Sequence, residues 1–367
     1  MTIKVLAISN YTNFHSVRPE AEIFLGLARL GGYEITIMTY GNTEYAKRFQ
    51  EAGIRVIDWH PEKKFDKQEI AFIRQELISG QYDIVELFNS QAIINGIRAA
   101  KGLPVKVVLY RGYSANINWW DPTAYTKFLH PRVDKIHCNS IGVEEMFRRQ
   151  LFFDKSKAVT INKGHRLEWY SGTVPGNLRK EFNIPENALL LVNVANNRRM
   201  KGIPYLLKAM NQLPESAPIH VVLIGNNMDN PKNLALLSNL KNRAKVHFAG
   251  YRKDALECVA SADAFVLPSI KGESITKAVI EAMSLGVTPV ISDIAGNREL
   301  VVHGENGLVF PSKNVEKLKE TLLYLEAHRE LLLQFGKASQ ERIDTVLNTD
   351  TTVAKVDELF RSLVDRP

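Results

Sequence analysis

Residues 268–283 read Pro-Ser-Ile-Lys-Gly-Glu-Ser-Ile-Thr-Lys-Ala-Val-Ile-Glu-Ala-Met, and this stretch decides the fold. A short apolar run at 264–267 comes just before it, and residues 276–285 have the composition of a helix. The pattern predicts a strand, a turn, and a helix that begins near Ser274. The N–H groups at the start of a helix form an anion site that suits a diphosphate.

The same alternation of apolar runs and helix-period segments extends outward over the whole chain. The strands predicted in the first half are 4–8, 34–38, 55–57, 84–88, 105–110, 135–139 and 158–161. The pattern restarts after the polar stretch 171–177. The strands predicted in the second half are 189–194, 219–224, 246–249, 264–267 and 288–291. This pattern favours an α/β protein with two Rossmann-like, doubly wound parallel-sheet domains that face each other across a cleft.

The restart also predicts the domain boundaries. A chain of 367 residues is long enough for two domains. We expect a first domain at 1–172, which a C-terminal helix at 350–367 joins, and a second domain at 173–349. Ligands of such folds bind outside the carboxyl ends of the strands, so the predicted site lies at the domain junction.

Composition excludes several classes of protein. With 45% hydrophobic and 24% charged residues, the chain has the composition of a folded protein. The apolar run at 5–8 is too short for a signal peptide or a membrane span. The chain has two cysteines, and we find no metal-ligand spacing. We therefore expect a cytoplasmic protein without a bound metal.

The positive charge is concentrated in residues 98–166. This segment contains thirteen Lys or Arg and five Asp or Glu, an excess of +8, while the whole chain has a net charge of +7. Its aromatic residues include Trp119, Trp120, Tyr125, Phe128, Phe147, Phe152 and Phe153. Such a mixture suits an anionic membrane surface or a lipid-linked acceptor. Alternatively, the aromatics form core and the lysines a solvated face. We do not expect a nucleic-acid partner.

Two carboxylates, Glu273 and Glu281, lie within residues 268–283. They lie on either side of the predicted helix start and about two turns apart along it, so both can line one side of a ligand. A glutamate in a first turn is also favoured by the helix dipole alone. With residues 282–290, 292–300 and 304–309, this pair resembles the signature of retaining glycosyltransferase family 4. The similarity is close over 189–310 and loose over the first half.

The resemblance implies a GT-B fold and a nucleotide-sugar donor. It implies that Glu273 holds the donor sugar and Glu281 the ribose. A loop that follows a strand carries Arg198 and Lys201, which match the family's diphosphate-binding cations, and Arg199 competes with Arg198 for that role. The remaining predicted donor-binding residues are Ser274, Ile275, Thr276, Gly225, Tyr251 and Arg252.

The first half departs from the family pattern in two places. Relatives carry two adjacent glycines before the first helix, where this chain has Pro19-Glu20, so His15, Ser16 and Arg18 are candidates to replace them. The strand 105–110 is followed by Arg111, where the family often has His. A guanidinium cannot act as a base, but it binds carboxylates and phosphates. A structural salt bridge is the alternative. We expect His130, His137 and His165 to be packed or exposed rather than catalytic.

The sequence thus predicts a retaining glycosyltransferase that uses UDP-sugar, or next GDP-mannose. The expected acceptor is a glycan or a lipid-linked molecule of cell-envelope polysaccharide or glycolipid synthesis. The resemblance implies front-face transfer without a cofactor, and we expect a peripheral location at the inner face of the plasma membrane. The alternatives are an epimerase or phosphorylase of the same fold, and a non-catalytic binding protein for sugar nucleotides or anionic glycans. A decayed site would be expected to lose the donor motif, which is intact here.

Overall fold

The structure is a computed structural model that describes residues 2–114 and 116–364. Residue 115 of the basic segment and residues 365–367 of the predicted C-terminal helix lie outside the described residues. The chain divides into two compact units. Unit 1 comprises Met1–Gly164 and Leu347–Pro367, and unit 2 comprises His165–Val346.

Strands and helices alternate through both units. The strands are β1 (Ile3–Ile8), β2 (Tyr33–Thr39), β3 (Arg55–Asp58), β4 (Ile84–Leu87), β5 (Lys106–Arg111), β6 (Lys135–Cys138), β7 (Ala158–Thr160), β8 (Leu189–Val194), β9 (Ile219–Ile224), β10 (Val246–Gly250), β11 (Ala264–Leu267), β12 (Thr288–Ser292) and β13 (Leu308–Phe310). The helices are α1 (Phe14–Leu30), α2 (Glu44–Glu51), α3 (Lys67–Gly80), α4 (Ser90–Ala99), α5 (Ile141–Gln150), α6 (Leu178–Glu181), α7 (Ile203–Asn211), α8 (Pro231–Leu234), α9 (Leu240–Arg243), α10 (Ala255–Ala260), α11 (Lys277–Ser284), α12 (Val315–Ala327), α13 (Glu330–Thr345) and α14 (Thr349–Val364).

Each unit is built on one parallel sheet. The strand order is β3-β2-β1-β4-β5-β6-β7 in unit 1 and β10-β9-β8-β11-β12-β13 in unit 2. Both orders run outward in two directions from a central pair, which is the doubly wound arrangement. The predicted α/β class with two Rossmann-like sheets is confirmed. The strand β13, which is only three residues long, was not predicted from the sequence.

Side chains that alternate between the two faces of the strands form the core of unit 1. Leu6 and Ile8 of β1 pack in one apolar cluster, while Val5 and Ala7 pack in another. Successive side chains of a strand point to opposite faces, so β1 is buried on both. Strands of this kind appear in the sequence as the continuous apolar runs from which they were predicted.

The start of α1 differs from the prediction. The helix begins at Phe14, and the Asn13 side chain caps it by accepting a hydrogen bond from the Ser16 N–H at 3.0 Å. Pro19 and Glu20 therefore lie inside α1, and the predicted loop at this position is wrong. Proline usually interrupts a helix because it lacks an N–H group. Here the helix continues, and Pro19 itself is buried.

The C-terminal helix α14 belongs to unit 1. It packs against α1 at Gly26, where an added Cβ would come within 2.3 Å of Cγ2 of Val353. The Tyr33 hydroxyl at the start of β2 donates a hydrogen bond to Asp357 Oδ1 at 2.6 Å. These contacts tie α14 to α1 and to the start of β2.

Candidate functional site

The strand order of unit 2 reverses between β8 and β11, and ligands of doubly wound sheets bind at such a point. The loops 195–202 and 268–276 follow these two strands and contact each other. The Ile270 N–H donates to the Met200 carbonyl at 2.7 Å. Gly202 has a φ of 70°, and an added Cβ would lie 1.8 Å from the carbonyl oxygen of Pro268. Glycine at this position allows the two loops to meet.

An ion pair joins the two loops. Lys201 Nζ lies 2.7 Å from Glu273 Oε1, and the side chains are only 16% and 11% exposed. The Ser269 hydroxyl donates to the same carboxylate oxygen at 3.0 Å. The structure thus brings together two predicted site residues that the sequence placed in separate motifs. Sequence reasoning missed Ser269, although its position directly after a strand was a usable signal.

The helix that follows Glu273 starts later than expected. α11 begins at Lys277, three residues after the predicted start at Ser274, and its N-cap Thr276 makes no side-chain capping hydrogen bond. Ser274, Ile275 and Thr276 are buried in the preceding turn. The first N–H groups of any helix lack partners within the helix. The start of α11 therefore offers donors and a positive dipole end to an anion.

Two contacts hold the turn that precedes α11. An added Cβ at Gly296 would lie 2.1 Å from the Ser274 carbonyl oxygen. The Ser292 hydroxyl at the end of β12 donates to the Ser269 carbonyl at 2.5 Å. The turn is therefore held from the neighbouring strand, which fixes the position of the α11 start.

Glu281 is the fifth residue of α11, so it lies just over one turn from the helix start rather than two. Its Oε1 atom is 2.5 Å from Lys277 Nζ, one turn earlier. The glutamate side chain is 16% exposed, whereas that of the lysine is 46% exposed. The pairing orients Glu281 along the helix toward its N-terminal end.

The two arginines beside Lys201 are both solvent-exposed. Arg198 precedes the short 3-10 turn Arg199–Lys201, and the Lys201 N–H donates to the Arg198 carbonyl at 2.9 Å. Both guanidinium groups are thus accessible to an anion, so the roles of Arg198 and Arg199 stay predictions.

The other predicted donor-binding residues of unit 2 have mixed environments. Gly225 N–H donates to the Gly250 carbonyl at 2.7 Å, and an added Cβ at Gly225 would lie 1.9 Å from the Ala195 carbonyl oxygen. Tyr251 is exposed. Two ion pairs hold the Arg252 guanidinium, at 2.6 Å to Asp254 and 2.5 Å to Glu181. The hydrogen bonds that the guanidinium donates to these carboxylates raise the pKa of Arg252. A nucleotide that contacts Arg252 would therefore contact a guanidinium that is already paired with two carboxylates.

Unit 1 has a polar cavity of its own where its strand order reverses, between β1 and β4. The cavity has a volume of about 230 Å³. Its lining residues lie at the ends of β1, β4 and β5 and on the neighbouring segments: Ser9, Asn10, Val17, Glu20, Phe88, Asn89, Ser90, Ile93, Tyr110, Arg111, Gly112, Tyr113 and Phe128. This second concave site was predicted only through Arg111.

Arg111 is the last residue of β5 and the main cation of this cavity lining. Its Nε–H donates to the Tyr113 carbonyl at 2.8 Å, and its guanidinium lies 5.0 Å from the Phe128 ring centre. Burial lowers the pKa of Arg111. Across the cavity, Glu20 pairs with Lys163 at 2.8 Å. The sequence reasoning treated Glu20 only as a departure from the family pattern and missed its place in the lining.

The three other candidates of the first half lie on the first turns of α1. His15 contacts the ring of Phe14 edge-on at 5.3 Å, and the Arg18 guanidinium lies 5.6 Å from the same ring. Ser16 provides the N–H that the Asn13 cap accepts. α1 contributes Val17 and Glu20 to the cavity, and His15, Ser16 and Arg18 are absent from its described lining.

His130, His137 and His165, which the sequence predicts to be non-catalytic, are at least partly buried. His137 Nδ1 lies 3.0 Å from Glu86 Oε1, and both side chains are almost fully buried. His165 Nδ1 lies 2.9 Å from the Tyr170 hydroxyl. Burial lowers the pKa of His130, and nearby cations lower it further. Glu86 was missed, although a glutamate in the apolar run 84–87 is a visible signal of a buried partner.

Over residues 2–114 and 116–364, no group of three or more His, Cys, Asp or Glu side chains is placed to hold a metal ion. Within the same residues, no helix combines the length and the apolar character that crossing a bilayer requires.

The family described as Glycosyl transferases group 1 matches residues 176–342, which contain the Lys201–Glu273 pair and α11. Unit 2 is a glycosyl transferases group 1 domain. The resemblance to a glycosyltransferase that the motifs indicated is thereby confirmed.

Individual relatives of the group 1 domain match with modest identity. N-acetyl-alpha-D-glucosaminyl L-malate synthase of Bacillus anthracis is 24% identical over 183 residues, 50% of this chain and 48% of that protein. N,N'-diacetylbacillosaminyl-diphospho-undecaprenol alpha-1,3-N-acetylgalactosaminyltransferase of Campylobacter jejuni is 31% identical over 165 residues, 45% of this chain and 42% of that protein. The chain thus matches about half the length of these curated relatives.

The fold comparison extends beyond the group 1 domain. The Anabaena protein HepE, in a crystal structure with UDP, superposes with a TM-score of 0.77 at 17% identity, covering 99% of this chain and 100% of that one. At this identity the likeness shows the fold alone. It confirms the GT-B class for the pair of Rossmann-like units.

Proposed function

We propose that the protein is a retaining glycosyltransferase that moves a sugar from a nucleotide-sugar donor to a glycan or lipid-linked acceptor. The observation that carries this proposal is the Lys201–Glu273 pair beside the start of α11, at the carboxyl ends of β8 and β11. A cation and a helix N-terminus lie together there and suit the negatively charged diphosphate of a donor. The carboxylate beside them suits the sugar hydroxyls.

The donor diphosphate binds at the start of α11 and at Lys201. In the structure Lys201 neutralises Glu273, so a diphosphate that takes over Lys201 frees the carboxylate for the sugar hydroxyls, with Ser269 still orienting it. Arg198 approaches from the exposed side of the loop. Charge builds up on the diphosphate as the bond to the sugar breaks, and fixed cations stabilise that charge more in the transition state than in the ground state.

The ribose binds to Glu281, whose carboxylate Lys277 positions. UDP is the favoured nucleotide, with GDP next, and the UDP complex of HepE fits this preference. Arg198, Lys201 and the α11 N–H groups supply the positive charge that a metal ion provides in other enzymes. We therefore propose transfer without a metal cofactor, which full activity in excess chelator would support.

The acceptor binds in the cavity of unit 1. Arg111 is placed there to bind a phosphate or a carboxylate through two parallel hydrogen bonds. An acidic sugar or a lipid-linked diphosphate has the required group. The name of the Campylobacter relative includes a diphospho-undecaprenol acceptor, which agrees with the second choice. Such a substrate fits a cytoplasmic protein at the inner face of the membrane.

A transfer assay tests the proposal. Purified protein is incubated with single UDP- or GDP-sugars and lipid extract, and products are followed by mass spectrometry, with the anomeric configuration determined by NMR. The proposal predicts a product of retained configuration with one nucleotide class, and its loss in Arg198→Ala/Lys201→Ala. A donor that binds without transfer to any acceptor would instead indicate a binding protein.

A further inference from the structure

The seven Trp, Tyr and Phe residues between 119 and 153 separate into two groups in the structure. Phe128 and Phe147 are buried core, with ring centres 5.4 Å apart. The others are exposed, and we call them the aromatic surface: Trp119, Trp120, Tyr125, Phe152 and Phe153. Phe153 is fully exposed, and Trp120 and Phe152 are 67% and 62% exposed. Large apolar side chains in such a group mark an interaction site.

Contacts within unit 1 hold the aromatic surface together. Trp119 packs edge-on against Phe152 with ring centres 5.4 Å apart, and the Tyr125 hydroxyl donates to the Trp119 carbonyl at 2.9 Å. Tyr125, Phe152 and Phe153 also line one cavity of about 340 Å³. The surface is therefore a single preformed feature that combines protruding rings with an apolar recess.

Cations flank Phe152 and Phe153, which we call the tip of the aromatic surface. Residues 148–157 read Arg-Arg-Gln-Leu-Phe-Phe-Asp-Lys-Ser-Lys, with four cations and one acid. Lys157 lines the cavity, and its Nζ donates to the Val133 carbonyl at 2.6 Å. Lys135 Nζ donates to the Ser156 carbonyl at 2.8 Å, which adds a fifth cation beside the tip. Lys155 and Arg149 are exposed.

We propose that the aromatic surface docks on a bilayer rich in anionic lipid, with Phe152 and Phe153 inserted among the headgroups and Arg149, Lys155 and Lys157 against the lipid phosphates. Aromatic rings favour the interface between lipid and water, and basic residues beside them are attracted by anionic headgroups. The inference goes beyond the proposed function, because vesicle binding depends on neither donor nor transfer.

Charge selects the bilayer over a second copy of this chain. The segment 98–166 has an excess of +8 charges, while the chain as a whole has +7, so the remainder is close to neutral. Two copies of the surface facing each other would bring like charges together around the rings. An anionic bilayer satisfies both the rings and the cations over one flat area.

Vesicle co-sedimentation with the full chain tests the proposal. We expect binding to vesicles of phosphatidylcholine and phosphatidylglycerol in equal parts, little binding to phosphatidylcholine alone, and weakening as salt is raised. Phe152→Ser/Phe153→Ser should weaken binding to the mixed vesicles by about tenfold or more, because the inserted apolar area is lost. Arg149→Gln/Lys155→Gln should weaken it by roughly tenfold to thirtyfold, from about 1 kcal/mol per cation.

Matched controls lie on unit 2. Leu240→Ser removes an exposed apolar side chain, and Lys232→Gln/Arg243→Gln removes two exposed cations, so both should leave binding unchanged. Circular dichroism verifies that each variant is folded. Equal binding by wild type and Phe152→Ser/Phe153→Ser would overturn the proposal. The proposal would also be overturned if the wild type bound no vesicle and instead formed a dimer that Phe152→Ser/Phe153→Ser dissociates.

Discussion

The Lys201–Glu273 pair, which Ser269 also contacts, organises the candidate donor site at the scale of single residues. Neither side chain is fully exposed, so their attraction is screened less than that of a surface pair. The proposed function assigns the diphosphate to Lys201 and the sugar hydroxyls to Glu273, so donor binding would replace the contact between these two side chains.

Removing the cations should affect turnover more than folding. We expect Lys201→Ala to lower kcat by about a hundredfold or more, because the lost charge stabilises the departing diphosphate, and Arg198→Ala to act in the same direction. Steady-state kinetics with a nucleotide-release assay measures this. Arg199→Ala is the matched control in the same turn. A larger loss in Arg199→Ala than in Arg198→Ala would transfer the role to Arg199.

Glu281→Ala should weaken donor binding. The change removes the proposed ribose contact, so we expect the Kd of the nucleotide to rise by about tenfold, as titration calorimetry would show. Glu320→Ala is the control, because it removes a comparable helix pair, with Lys317 at 2.7 Å, on α12. Unchanged affinity in Glu281→Ala would remove the ribose role.

At the scale of elements, glycine allows the loops after β8 and β11 to touch. Gly202→Ala combines a strained φ of 70° with a clash against the Pro268 carbonyl. We expect the unfolding free energy to fall by roughly 2–4 kcal/mol. We also expect donor binding to be lost. Gly250→Ala, at a φ of 64° but with no atom within 4 Å of the added Cβ, should cost only about 1 kcal/mol. Equal destabilisation in calorimetry would show that strain, not the loop contact, matters.

Two histidines on neighbouring strands make unit 2 sensitive to acid. His220 on β9 stacks on His247 on β10, with Nδ1 and Nε2 3.1 Å apart. Burial, and then His247, lowers the pKa of His220 to about 4. The unfolded chain, with a pKa of about 6.5, binds the proton first, so stability is complete above about pH 6.5 and declines as the pH falls toward 4.

The expected loss is roughly 1–2 kcal/mol, because His220 is half-buried and solvent screens part of the effect. Thermal unfolding between pH 7 and 4 measures it, and we expect a flatter profile in His220→Gln than in wild type. His328→Gln, at a partly exposed histidine directly after α12, is the control. An unaltered pH profile in His220→Gln would contradict this account.

At the scale of the whole molecule, the sequence predicted the two parallel sheets because strands buried on both faces are continuous apolar runs. It did not predict the start of α1, because the sequence pattern places Pro19 before the helix, whereas the structure has it inside. Nor did it predict the contact between Lys201 and Glu273, which depends on β8 and β11 being neighbours in the sheet. Local patterns specify elements, whereas pairing of distant loops is a property of topology.

The central claim is that the cluster of Lys201, Glu273 and the α11 start binds the diphosphate of a nucleotide sugar. Titration calorimetry of the full chain with UDP, GDP, ADP and their common sugar conjugates tests it most directly. We expect one nucleotide class to bind, and Arg198→Ala/Lys201→Ala to abolish this binding while the protein remains folded. Absence of binding by every nucleotide at millimolar concentration, or equal binding by the double variant, would contradict it.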